Sequence, residues 1–199
     1  MTVPSPSTHA LTAGAFAAIL LLSACGGTTA TVTPSSSTST GSTPTVAPTP
    51  FSGAGFRTNI PLGWQDETMN QSAVAASSGG GTLLMILTAP DHGVVVARTA
   101  PTPVADDQLS QYLTSVIPPG STSVSQPEPV DIAGVSGVLV TFVSGIPAGG
   151  TPGGVAQEHE DMVVNQAGNT YEIALTAPQA TFSQDGAGLQ EILNGWTWG

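Results

Sequence analysis

The chain of 199 residues has no lysine and only two arginines, Arg57 and Arg98, against 13 acids, for a formal net charge of −11. Binding to nucleic acid rests on clustered Lys and Arg that neutralise phosphates, so this shortage excludes a nucleic-acid partner. It also removes the basic patch that would hold a protein on anionic headgroups, leaving covalent or apolar attachment as the routes to a membrane. Cysteine is nearly absent. Cys25 is the only one, which rules out an intramolecular disulfide, a cysteine-based zinc site and an iron–sulfur cluster. Charged residues make up 8% of the chain and hydrophobic residues 40%, so solubility must come from Ser, Thr, Asn, Gln, Gly and the few acids. Catalytic motifs are missing as well. No serine sits in a Gly-x-Ser-x-Gly elbow, and Gly79-Gly80-Gly81 lacks the lysine and helix start of a phosphate loop.

What is present begins with an address. Residues 11–22, LTAGAFAAILLL, form an apolar run that fits a signal-peptide core and is too short to span a bilayer as a helix. The ten residues before it carry no Lys or Arg, only the terminal amine and His9. Directly after it, Leu22-Ser23-Ala24-Cys25 with Gly26 and Gly27 resembles the bacterial lipobox. Small residues fit a narrow protease site and glycines leave the thiol accessible, so residues 1–24 are expected to be a lipoprotein signal peptide with Cys25 as the lipidated residue. Acyl chains there would hold the protein on the outer side of a cell membrane, since stable anchoring needs more than one chain. Residues 25–52 then read as a disordered tether. They are nearly all Ser, Thr, Pro, Gly and small apolar residues, which cannot bury enough surface to offset their ordering entropy.

The ordered domain is expected over residues 53–199. It opens with Phe56 and Trp64 flanking the turn Ile60-Pro61-Leu62-Gly63, read as strand, turn, strand. Further strands are expected at 82–88, 93–98, 137–144, 158–165 and 170–176, runs of β-branched and aliphatic residues bounded by Gly, Pro, Asn or Asp. The last two form a hairpin across Ala167-Gly168-Asn169. Two helices are expected. Over residues 105–117, Leu109, Tyr112, Leu113, Val116 and Ile117 share one face, Asp106 and Asp107 lie in the first turn, and Pro118-Pro119-Gly120 stops the run. Over residues 181–196, Phe182, Leu189, Ile192, Leu193 and Trp196 share a face, although Gly186 and Gly188 lower its helicity. Strands, helix, strands, helix argues an α+β domain, a mostly antiparallel sheet flanked by helices.

Candidates for chemistry are few. His92 lies in the turn Ala89-Pro90-Asp91-His92-Gly93 and reads as a solvated turn residue. In Glu158-His159-Glu160-Asp161, strand alternation sends the two glutamates to one face and His159 with Asp161 to the other, on what reads as a solvated edge. A metal site or an enzyme acting on an envelope glycan would draw on His159, Asp161 or Glu160, yet no third ligand is identifiable. No metal or cofactor is expected. Trp64, Tyr112, Trp196 and Trp198 are the candidate ligand-binding residues, because amphipathic rings line small-molecule sites. The site is expected between the sheet and a helix or the glycine-rich 145–154 loop.

Three features carry a resemblance. Phe56, Ile60, Pro61, Gly63 and Trp64 form an opening Phe-x-x-x-Ile-Pro-x-Gly-Trp. Val130, Ile132, Gly134 and Gly137 follow around Asp131 and Ala133, ahead of a long strand, and a terminal helix ends in tryptophan. This pattern is similar to the PsbP/Mog1-like domain, an α/β/α sandwich. With the lipobox and tether, the chain resembles mycobacterial envelope lipoproteins of the LpqN/LpqT type. The resemblance implies a non-enzymatic binding domain whose ligand is an envelope lipid or glycolipid, or whose partner is an envelope or host protein.

Overall fold

In the computed structural model, residues 47–76, 80–145 and 155–199 are described. The expected signal peptide, Cys25, the tether to residue 46 and most of the 145–154 loop lie outside them. In chain order the first elements are β1 (Thr49–Gly53), β2 (Phe56–Ile60), β3 (Gln65–Asp66), α1 (Gln71–Ala76), β4 (Thr82–Thr88) and β5 (Val94–Thr99). After a 3-10 turn at Asp106–Gln108 come α2 (Leu109–Val116), β6 (Glu128–Ile132), β7 (Val135–Ser144), β8 (Gln157–Gln166), β9 (Asn169–Pro178), α3 (Phe182–Asn194) and β10 (Thr197–Trp198).

The strands build two sheets, one ordered β1-β2-β10 and one ordered β3-β4-β5-β9-β8-β7-β6, and every pairing between them is antiparallel. Strands β3 to β5 form one meander and β6 to β9 another, so α2 lies in the connection that carries the chain from β5 to the far edge at β6. Alternation along each strand then assigns the two faces of the large sheet. Met85, Leu87, Val95, Ala97, Met162, Val164, Ile173 and Leu175 face one way and pack with Leu189 and Ile192 of α3 and with Phe51, Phe56 and Trp196. Val140, Phe142 and Val163 face the other way and pack with Leu109 and Leu113 of α2. The result is a layered α+β sandwich: α2, then the seven-stranded sheet, then α3 beside the small sheet.

Local chemistry explains the turns. Between β8 and β9, Ala167 and Gly168 both take positive φ, 50° and 78°, and between β6 and β7 Ala133 and Gly134 do the same at 52° and 83°. Two consecutive left-handed residues make the turn whose twist matches an antiparallel hairpin. At the second turn, Asp131 Oδ1 accepts the Gly134 N–H at 2.9 Å. The Val-x-Ile-x-Gly segment is therefore a strand and hairpin turn, and β6 is a strand absent from the expected set. Helix α2 stops at Val116 because Ile117 precedes a proline and is extended, with φ −62° and ψ 127°.

Two expectations need correction. The tether does not run to residue 52: the fold starts at Thr49, and Phe51, 9% exposed, belongs to the core. Pro50 is tolerated because β1 is an edge strand. The opening strand-turn-strand forms as expected, with β2 in the small sheet and β3 in the large one. Strand β8 is not an edge but lies between β7 and β9, so Glu158 to Asp161 are half-buried rather than solvated.

Candidate functional site

On the α2 face of the large sheet, Arg98 of β5 and Glu172 of β9 stand directly opposite each other. Arg98 Nε donates to Glu172 Oε2 at 2.5 Å, and the Tyr112 hydroxyl of α2 donates to Oε1. One carboxylate, with its side chain 7% exposed, thus ties two strands to the covering helix. Burial pushes the Tyr112 hydroxyl above its ordinary range, and its bond to the negative Glu172 pushes it further. Nearby, Asn165 Nδ2 donates to the Val104 carbonyl at 2.7 Å and Asn165 Oδ1 accepts from Thr170 Oγ1 at 2.6 Å, fixing the loop that leads into α2.

Asp161 of β8 lies on the same face, opposite Val140 on one side and Ala174 on the other. It forms no hydrogen bond among the described residues, and its Oδ1 is sealed from solvent. Burial raises its carboxyl from 3.8 to about 7; the Arg98 charge opposes the rise while Glu172 and Glu160 add to it. Near neutral pH this carboxyl therefore holds a proton about half of the time and is a hydrogen-bond donor as well as an acceptor.

One row further along β8, His159 stacks on Phe142 with ring centroids 4.4 Å apart and 7° between planes. Ser144 Oγ lies 2.8 Å from its Nε2 and Thr176 Oγ1 lies 3.0 Å from its Nδ1. Burial lowers its pKa, keeping the ring neutral, so one hydroxyl donates to it and the other accepts. Alternation did place His159 with Asp161, but both ring nitrogens already have hydroxyl partners. Among the described residues, no three His, Cys, Asp or Glu side chains gather as a metal site. Where a nucleophilic serine paired with histidine would need a carboxylate on Nδ1 to stabilise the imidazolium, Thr176 stands instead. His92 is an exposed turn residue with φ 71°.

The four candidate aromatic residues do not converge. Trp196 is 3% exposed and stacks on Phe56 with centroids 4.0 Å apart and 5° between planes, which makes it core, not the lining of a site. Trp198 packs beside it and donates from Nε1 to the Ile132 carbonyl at 2.9 Å. Trp64 lies against Gly188 of α3, where an added Cβ would meet its ring at 2.4 Å. All three are on the α3 side, and Tyr112 is across the sheet on the α2 side. The polar cluster that Tyr112 joins escaped the sequence reading because Arg98, Tyr112, Asp161 and Glu172 are scattered along the chain. Period-two alternation could have put Arg98 and Glu172 each on the outward face of its strand; only the register brings them together.

Apart from this polar cluster, a hollow of about 480 Å³ lies where the chain enters the fold. Pro48, Ile60, Pro61, Leu62, Glu191 and Asn194 line it, and Leu62 is 80% exposed. None of the candidate aromatic residues reaches it. Among the described residues, no helix is long and apolar enough to cross a membrane.

No family model matches the chain, and no curated protein matches it by sequence. Solved structures do. The cyanobacterial PsbP of Synechocystis sp. superposes with a TM-score of 0.52 at 10% identity, over 79% of this chain and 96% of that one. LpqN of Mycobacterium tuberculosis, described as involved in cell envelope biogenesis, superposes with a TM-score of 0.51 at 12% identity, over 76% of this chain and 84% of that one. The Saccharomyces cerevisiae Ran-binding protein Mog1p matches more loosely, with a TM-score of 0.45 at 13% identity over 72% of this chain and 89% of that one. At these identities the likeness is one of architecture, and the domain has the PsbP/Mog1-like fold.

Proposed function

We propose that the protein is an envelope lipoprotein, anchored through Cys25, whose folded domain binds an amphipathic envelope ligand such as a lipid or glycolipid and catalyses nothing. One observation carries this reading. Helix α2 is eight residues long and packs on β7 and β8, so the β9 and β5 part of that face keeps Val94, Val96, Ala174 and Thr176 half-buried, beside an Asp161 carboxyl without a partner. Apolar floor next to unfilled polar groups is the composition of a small-molecule site. The occupied nitrogens of His159 support the non-enzymatic side of the proposal. The described role of LpqN in cell envelope biogenesis is in keeping with it. A protein partner on the same face is the second reading.

The test is a nuclear magnetic resonance titration of the purified protein with decanol. Shifts confined to Val94, Val96, Ala174 and their neighbours are expected, and Val96→Glu abolishes them. Shifts absent throughout, or located only at the Leu62 hollow, overturn the assignment of the site.

A further inference from the structure

The polar cluster has a specific deficit. Both oxygens of Glu172 are taken, by Arg98 Nε and by the Tyr112 hydroxyl. The two terminal nitrogens of Arg98 form no hydrogen bond among the described residues, and Asp161 forms none either. Unfilled capacity at this place therefore includes donors: the outer edge of the guanidinium, and the Asp161 carboxyl in the half of the molecules that hold its proton near pH 7. A ligand that completes it must offer oxygen acceptors.

Charge narrows the class. The Arg98 cation is already balanced by Glu172, and Asp161 lies close enough to feel both. A dianionic phosphate would bring two negative charges to a single paired cation. A carboxylate brings one, and it can share a proton with Asp161 as paired carboxyl groups do. The guanidinium edge also matches the planar fork of a carboxylate.

Register supplies the rest of the ligand. From Asp161 the row across the sheet runs through Ala174 of β9 and Val96 of β5 to Ile86 of β4. Three strand spacings make this row about 14 Å long, and all its members after Asp161 are aliphatic. Ala174 and Val96 are half-buried, and Ile86 is 1% exposed and closes the row.

We propose that the sheet face from Asp161 to Ile86 is a binding site for a free medium-chain carboxylic acid, its carboxyl group held by the terminal nitrogens of Arg98 and by Asp161 and its chain laid across Ala174 and Val96. The inference rests on the amphiphile-binding reading above and names its ligand class. The titratable and charged groups facing Asp161 are Glu172 from β9, Arg98 from β5, Tyr112 from α2 and His159 from its own strand. β7 presents only Val140 and Phe142. Binding of a carboxylate keeps Asp161 protonated, so the complex takes up a proton wherever the free site has lost it.

Titration calorimetry of the purified protein with sodium decanoate tests this, with decanol and decyl phosphate as comparators. A site carboxyl that titrates at about 7 makes decanoate bind about ten-fold more tightly at pH 6 than at pH 8, with proton uptake at the higher pH read from buffers of different ionisation enthalpy. Asp161→Asn, an uncharged donor at every pH, keeps tight binding and loses the pH dependence. Arg98→Lys retains a cation for Glu172 but not the planar fork, and weakens decanoate at least ten-fold while leaving decanol unchanged. Decyl phosphate binds more weakly than decanoate. Decanoate binding that is equal at both pH values, or indifferent to Arg98→Lys, overturns the carboxyl site; decanol binding at Val96 and Ala174 would then leave the amphiphile-binding reading standing. If no amphiphile binds, both fall.

Discussion

The Tyr112 hydroxyl donates to the same Glu172 carboxylate that Arg98 engages from the neighbouring strand, so one acid adds a polar tie to the hydrophobic seat of α2 on the sheet. Tyr112→Phe leaves Glu172 Oε1 without its donor in a nearly sealed position. A loss of about 1–3 kcal/mol is expected in denaturant unfolding, with faster amide exchange in α2. Glu172→Leu removes the acid and strands Arg98, and is expected to cost about 3–5 kcal/mol. Unchanged unfolding midpoints in both variants would contradict the arrangement.

Asp161 makes stability fall as pH rises. Its folded value of about 7 exceeds the ordinary 3.8, so between the two values the unfolded chain has released a proton that the native state still holds. Stability is highest below about pH 4 on this account, declines up to pH 7 and stays low above it. Asp161→Asn is expected to be more stable than the parent at pH 8, by about 1–3 kcal/mol, and to match it at pH 4. His159 acts in the opposite direction, since its lowered pKa contributes stability that is complete above 6.5 and lost as pH falls. Parallel stability profiles for parent and Asp161→Asn would refute the assignment.

Two glycines of α3 separate packing from propensity. Gly188→Ala gains helix propensity but drives a Cβ to 2.4 Å from the Trp64 ring, and is expected to cost about 1–3 kcal/mol through overpacking. Gly186→Ala meets nothing within 4 Å and is expected to stabilise by about 0.5–1 kcal/mol. Thermal unfolding of both decides; equal shifts of the same sign would show that Trp64 does not pack there.

The start of the domain is tested by comparing fragments 47–199 and 53–199. The shorter one lacks β1 and with it Phe51, which is 9% exposed and 6.0 Å from the Phe56 ring. It is expected to be at least about 3 kcal/mol less stable, the scale of removing a buried phenylalanine. Equal stability would restore the tether to residue 52.

Anchoring is tested by feeding a palmitate analogue to cells producing the parent or Cys25→Ala. The parent is expected to incorporate label and partition with membranes, and the variant to do neither. Equal labelling of the two ends the lipoprotein reading.

Much of the domain was legible because its signals are local. The run TLLMILT of β4 was expected at residues 82–88 and forms there, and the periodic Leu109, Tyr112 and Leu113 mark α2. Elements without such a signal were missed. β1 hides in Thr-Pro-Phe-Ser, which composition assigns to a tether, and β6 carries Pro129, tolerated because β6 is a sheet edge. Helix α1 shows only the Asn70 cap, whose Oδ1 accepts the Ser72 N–H at 3.0 Å.

By itself the sequence determined the antiparallel α+β class, the two longer helices and the pairing of His159 with Asp161 on one strand face, because side-chain period and turn chemistry act over a few residues. Which strand neighbours which was decided only by the tertiary structure. Antiparallel register set Arg98 of β5 against Glu172 of β9, 74 residues apart, and enclosed β8 between two strands. That enclosure turned Asp161 from a solvated acid into one whose carboxyl burial raises to about 7, so that it holds its proton about half of the time near neutral pH. Tertiary packing also drew Trp196 into the core, where it stacks on Phe56 and is 3% exposed, leaving no surface for a ligand.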